Sequence, residues 1–198
     1  MSKNARLSLV IVAVVAVVVA GFLLFNRNDT TAAPQSSGGK VSVVEYLDLE
    51  CPSCRAAHPG VEKLKGEYGD RVTFTIKHFP IPSHRNAELA AVAVEAAGAQ
   101  GKRDEMFKLM FSAQQEWGGQ QTSQRAAFVG FAQQLGLDPA AFEKALDAPA
   151  LRDQVLASRT EGAKLGVTGT PTFFINGTKF TGAPTYDALK SAIDKELS

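Results

Sequence analysis

The sequence predicts an α/β domain in which a β-α-β unit and a β-β-α unit share one central sheet. A helical block separates the two units, and a single transmembrane helix precedes them. Three observations carry this reading. β-Branched and aromatic runs stand at Lys40–Leu49, Arg71–Phe79 and Thr172–Phe180. Between them, from about residue 83 to 165, the apolar spacing is helical. Residues Leu7–Phe25, "LSLVIVAVVAVVVAGFLLF", carry no charge in 19 positions, about enough for a helix to cross a bilayer's hydrocarbon core.

Taken in order, residues 1–6 hold Lys3 and Arg6, whereas behind the apolar run Arg27 is offset by Asp29. The positive-inside bias keeps the N-terminus cytoplasmic and sends the remainder outward. A cleaved signal peptide is the alternative, with small residues at Thr30–Ala33. Its apolar region normally spans about 7–15 residues, and this run is longer, so the expectation is an intact anchor at 7–25. Residues 26–39, "NRNDTTAAPQSSGG", read as a flexible linker. The domain proper is expected at 40–198, outside the cytoplasmic membrane, where disulfides can persist.

Within that domain, "KVSVVEYLDL" suits a largely buried strand, and Pro52–Tyr68 follows as a helix with Val61, Leu64 and Tyr68 at helical spacing. "RVTFTIKHF" is the second strand, expected to run parallel to the first through a right-handed crossover. "IPSHRN" then ends the pattern. Helices are expected over Ala87–Ala97, over Glu105–Gln115 and around Ala127–Leu135. Another starts at Asp138-Pro139, with Asp138 as N-cap, Pro139 at N1 and Leu137 and Phe142 as a hydrophobic staple. "TFFINGTKF" reads as a hairpin turning at Asn176-Gly177, and Pro184–Leu197 as the closing helix.

The 198 residues are 45% hydrophobic and 21% charged, so the chain can bury a core without a disulfide scaffold. Its net charge is +1; with Lys3 and Arg6 set aside, 19 basic residues face 20 acidic ones. No basic stripe or charge block stands out, which argues against a nucleic-acid partner.

The chemistry gathers in "EYLDLECPSC", which holds the only two cysteines. Three readings of Cys51 and Cys54 compete. A structural disulfide would close a loop too short to constrain the unfolded chain much. Structural zinc wants four ligands, and beyond the cysteines only His58, His78 and His84 offer soft or borderline ones. A redox pair accounts for more residues. Cys51 falls where a strand has ended and a helix begins, so unpaired N–H groups and the helix dipole favour its thiolate. Pro52 at N1 gives up only an N–H without a helical partner. Cys54 lies one turn on and deeper, placed to resolve a mixed disulfide. Three further positions accompany the pair: Pro59 inside the helix, Glu45 on an otherwise apolar strand, and Thr170-Pro171 at a strand entrance. His58, His78 and His84 have no role assigned.

With these residues the chain resembles the thioredoxin superfamily, and within it the DsbA-like thiol-disulfide oxidoreductases. The likeness covers about residues 40–198 and implies the thioredoxin fold, with the block at about 83–165 as its helical insertion. It implies that Cys51-Pro52-Ser53-Cys54 is the active site and that Thr170-Pro171 is a cis pair packed against it. It also implies that Glu45 is a buried acid handling the Cys54 proton, and that Pro59 kinks the helix. The middle dipeptide, Pro52-Ser53, lacks the histidine of the best-known oxidase, and the anchor is similar to that of Gram-positive members.

The resemblance thus implies a monomeric, membrane-tethered oxidase that donates disulfides to reduced, unfolded exported proteins. Its only redox group would be the Cys51–Cys54 disulfide, with no metal or other cofactor. Reoxidation would fall to a quinone-linked membrane oxidoreductase, DsbB-like or similar to vitamin K epoxide reductase. The alternatives are a reductase or isomerase in the same compartment, or a metal-binding or structural exported module.

Overall fold

The structure, a computed structural model, describes residues 40–198; the expected anchor at 7–25 and linker at 26–39 lie outside the described residues. Among the described residues no helix is long and apolar enough to cross a membrane. Strand β1 (Val41–Leu47) leads into helix α1 (Pro52–Tyr68), a 3₁₀ turn (Gly69–Arg71) and strand β2 (Val72–His78). Six helices follow: α2 (Ala87–Gly98), α3 (Arg103–Ser112), α4 (Gln114–Trp117), α5 (Arg125–Gln134), α6 (Pro139–Leu146) and α7 (Pro149–Lys164). Strands β3 (Thr172–Ile175) and β4 (Thr178–Lys179) and helix α8 (Tyr186–Leu197) complete the domain.

The sheet order is β2-β1-β3-β4, with β1 parallel to β2 and the remaining neighbours antiparallel. This is the expected thioredoxin fold with its helical insertion. The central strand β1 is buried on both faces, Ser42 and Glu45 included, as its largely apolar sequence leads one to expect. Its alternate residues serve different layers. Val41 and Val43 pack with Phe173 and Ile175 against Val61 and Leu64 of α1 and Leu189 and Ile193 of α8. Val44 and Tyr46 join Phe79, Val167 and Phe174 on the opposite face. There α7 crosses so closely that a Cβ on Gly162 would stand 2.8 Å from the Tyr46 ring and 2.9 Å from that of Phe79. The Tyr46 hydroxyl donates to Glu161 of the same helix at 3.0 Å.

The largest core cluster joins the two parts of the domain. Leu47, Leu49 and both cysteines belong to it, together with the alanines of α2, Met106 and Met110 of α3, Trp117, Phe128 and Phe142. Helix α2 is buried nearly all round, and its short side chains let neighbouring helices close on it. Fully burying a large apolar side chain contributes about 1.5–3 kcal/mol, so this seam is held as firmly as the sheet layers.

Several boundaries differ from expectation for local reasons. The helix expected over Glu105–Gln115 breaks at Ala113, where Trp117 turns back and its indole N–H donates to the Met110 carbonyl at 3.0 Å. Helix α7, a polar 16-residue segment, has too weak an apolar stripe to be singled out in the sequence. Thr185 rather than Pro184 opens α8, its hydroxyl accepting the Ala188 N–H. Elsewhere local chemistry decides as expected. The Asp138 carboxylate accepts from Ala140 and Ala141, and Asn176 and Gly177 adopt φ of 47° and 79° in the hairpin turn.

Candidate active site

Cys51 is the N-cap of α1 and Pro52 its first helical residue. Both cysteines are free thiols, and they are not equivalent. Cys51 is 7% exposed and Cys54 0%. The Cys51 thiol donates to the Thr170 carbonyl at 3.4 Å, and the Thr170–Pro171 bond is cis. The fold therefore brings Cys51, Pro52, Ser53, Cys54, Thr170 and Pro171 into one cluster, although they are separated by more than a hundred residues of sequence.

The electrostatics follow from this placement. Above all, the neighbouring Cys54 thiol holds the Cys51 pKa down to about 5, against the opposition of burial. Thr170 and the backbone N–H groups of Cys54 and Ser53 pull in the same direction. The Thr170 hydroxyl is buried and has no fixed hydrogen-bond partner of its own. Burial, followed by the Cys51 sulfur, pushes the Cys54 thiol up. One sulfur is thus a ready thiolate at neutral pH and the other a protonated thiol, the asymmetry a dithiol exchange site needs.

Glu45 is buried, 5% exposed, and not on a solvent-facing strand edge. Burial raises its pKa to about 8, with Lys65 opposing and Glu62 adding to the rise. Among the described residues its carboxylate makes no direct hydrogen bond to either cysteine, and the charges that act on it, Lys65 and Glu62, belong to α1. Pro59 lies within α1, which continues through it to Tyr68. Among the described residues no three His, Cys, Asp or Glu side chains are placed to hold a metal ion.

The histidines now have partners. His58 stacks on Phe111 and meets Phe107 edge-on, tying α1 to α3. His78 pairs with Glu95 at 2.8 Å. His84 approaches Asp48 through Nδ1 at 2.7 Å.

That last contact belongs to a polar framework beneath the cysteine loop. Asp48 is 2% exposed. One of its carboxylate oxygens accepts the Glu50 N–H, and the other accepts from Ile81 and meets His84. Its own N–H donates to the Cys54 sulfur at 3.5 Å, while its carbonyl accepts the Cys51 N–H at 3.1 Å. Glu50, also buried, accepts the N–H of Asn86 at 2.7 Å and of Gly119 at 2.9 Å. From the insertion, the Gln114 amide donates to the Leu49 carbonyl at 2.6 Å and the Cys51 carbonyl at 3.0 Å. Asp48, Glu50 and Gln114 are thus residues that sequence reasoning missed. The signal available was the pair of acids two residues apart on an apolar strand end, beside the cysteines.

Comparison with known proteins agrees with this architecture. The thioredoxin family profile matches residues 34–195. A probable disulfide bond formation protein D of Bacillus anthracis is 31% identical over 176 residues, covering 82% of this chain and 78% of that protein. The Na(+)/H(+) antiporter NhaA 1 of Salinispora arenicola is 37% identical over 155 residues, covering 77% of this chain. The match spans only 22% of that antiporter, about a fifth of its length. Among solved structures, a thioredoxin-like oxidoreductase from Silicibacter pomeroyi DSS-3 superposes with a TM-score of 0.66 at 27% identity, over 85% of this chain and 93% of that one. The alpha-DsbA1 of Wolbachia pipientis shares the fold, with a TM-score of 0.72 at 22% identity over 82% and 88% of the two chains.

Proposed function

Because the chain belongs to the thioredoxin family, in its DsbA-like thiol-disulfide oxidoreductase branch, we propose that it is an oxidase of exported proteins working through Cys51 and Cys54. The observation that carries the proposal is the unequal pair: a Cys51 pKa near 5 beside a buried Cys54 thiol pushed upward. Stabilising the thiolate favours the dithiol, and so makes the disulfide the stronger oxidant. In the oxidised enzyme a substrate thiolate attacks the Cys51 sulfur, the Cys51–Cys54 bond breaks, and Cys54 leaves with the electron pair and takes a proton. A second substrate thiolate then attacks the substrate sulfur of the mixed disulfide. The substrate departs oxidised by two electrons, and Cys51 is left as thiolate.

The remaining parts of the proposal rest on other residues. The uncharged run at 7–25 behind Lys3 and Arg6 supports a single-pass anchor with the domain on the extracytoplasmic side. The strand entrance at Thr170-Pro171 would take substrate backbone by strand-like hydrogen bonds, independent of sequence. Returning the pair to the disulfide needs a two-electron acceptor, for which a quinone-linked membrane oxidoreductase, DsbB-like or similar to vitamin K epoxide reductase, is the fitting class.

The test is equilibration with glutathione, followed by addition of the oxidised protein to a reduced, unfolded protein. An oxidase has a potential well above about −270 mV, the thioredoxin value, and transfers one disulfide per molecule. A potential near that value, with no transfer, would replace this reading with that of a reductase.

A further inference from the structure

The cysteine loop opens onto a polar trench. A cavity of about 280 Å³ has Pro52, Arg55, His84, Arg85 and Gln114 in its walls. A second, of about 430 Å³, shares His84 and Arg85 with it and adds Arg159. The two therefore form one continuous surface that begins beside the nucleophile's own neighbour and runs towards α7.

The cations of this trench are not neutralised. Arg103, Arg125 and Arg152 each pair with a carboxylate: Glu95, Asp147 and Glu88 respectively. Arg55, Arg85 and Arg159 pair with none among the described residues. The Arg55 Nε is buried without a hydrogen-bond partner. Its terminal nitrogens face the neutral Gln115 side-chain oxygen at 3.3 Å, in the amide orientation that matches donor to acceptor. Two carboxylates line the trench, and both are committed elsewhere. Glu50 is held by two backbone N–H groups, and Glu88 pairs with Arg152. Asp48 lies beneath His84 with its oxygens engaged.

We propose that this trench is a recognition site for acidic polypeptide, which selects substrates carrying Asp or Glu close to the cysteine that reacts at Cys51. The inference rests on the exchange reading above and adds a substrate preference to it. Guanidinium groups bind carboxylates through paired, charge-assisted hydrogen bonds, and an arginine without an internal partner keeps that capacity for a ligand. Reach is adequate. Arg55 lies four helical positions after Cys51, about 6 Å along the axis at roughly 1.5 Å per residue. An extended chain covers that in about two residues at roughly 3.3 Å each. Arg85 and Arg159, further along, would take a second and a third acidic side chain. Attraction of this kind also speeds encounter, and salt weakens it.

Two unfolded peptides decide the matter, identical except that Glu or Lys flanks a pair of cysteines. Each is made in a second version with serine for cysteine. Binding of the serine peptides to the full chain is followed by fluorescence anisotropy, and oxidation of the cysteine peptides by thiol loss. The Glu peptide should bind and react faster by about three- to tenfold at low salt, as for two exposed ion pairs. The ratio should fall towards one in Arg55→Gln/Arg85→Gln and at high salt. Equal binding of the two serine peptides, or a ratio unchanged in the double variant, overturns the inference. A binding preference without any oxidation upholds the trench and instead removes the oxidase reading.

Discussion

Glu45 sits on the central strand between Ile76 of β2 and Phe173 of β3, and its raised pKa has a thermodynamic consequence. In the unfolded chain its carboxyl releases its proton near 4.5; in the folded domain it holds it to about 8. Between those values the folded state binds the extra proton, so stability is highest at the acid end and declines as pH rises towards 8. A tenfold change in proton affinity is worth about 1.4 kcal/mol, so the whole decline amounts to a few kcal/mol at most. Glu45→Gln keeps the shape and cannot ionise. It should leave stability at pH 4.5 nearly unchanged, raise it at pH 8 to 9, and flatten the decline between. Urea unfolding of both proteins across that range measures this, and parallel pH curves would show that Glu45 is ionised in the folded domain. The residue's presence among apolar neighbours was legible in the sequence. That its carboxyl would meet the charges of Lys65 and Glu62 was not, because alternation assigns a side chain to a face but not to the group it meets there.

At the scale of elements, the cysteine loop is clamped from the insertion, chiefly by Gln114 at the start of the four-residue helix α4. Gln114→Ala would leave the Leu49 carbonyl without its donor and the Cys51 carbonyl with only its helical N–H donors, Cys54 and Arg55. A buried polar group left unsatisfied costs about 1–3 kcal/mol, and the Cys51 titration should broaden or move as the loop loosens. Gln114→Glu, which replaces the donor with a carboxylate, should be at least as damaging. Denaturation and thiolate absorbance report both effects, and unaltered stability and titration in Gln114→Ala would mean that water replaces the amide without loss. No sequence pattern pointed to this residue. It lies at the polar end of the helix expected over Glu105–Gln115, where "QQEWGGQQ" begins, and its partners are 63 and 65 positions away. By contrast, strands β1 and β2, helix α1 and the Asn176-Gly177 turn were readable, since propensity, caps and turn chemistry are local. The Asp48 and Glu50 framework falls between these cases. Its acids are visible in "DLEC", but the backbone donors that hold them, at Ile81, Asn86 and Gly119, come together only when the insertion packs onto the sheet.

For the molecule as a whole, the site's chemistry should appear as a difference in stability between the two redox forms. In the dithiol form the Cys51 pKa lies near 5, against 9 for an unperturbed thiol. From pH 5 to about 8.5 the unfolded dithiol chain therefore binds more protons than the folded one, and folding becomes more favourable as pH rises. Above that range Cys54 acts in the opposite sense, because burial keeps its proton in the folded state when the unfolded chain would lose it. The disulfide form has no thiol to titrate, and Glu45 contributes to both forms, so its effect cancels in the difference. A C-x-x-C bridge closes too small a loop to offset this by constraining the unfolded chain, since that benefit grows with loop length. The reduced protein should thus melt above the oxidised one at pH 7 to 8, and the gap should narrow steadily towards pH 5. Calorimetry of both forms at several pH values checks this. An oxidised form that melts higher at pH 8, or a gap that stays constant with pH, would mean that the Cys51 thiolate is not the source of oxidising power.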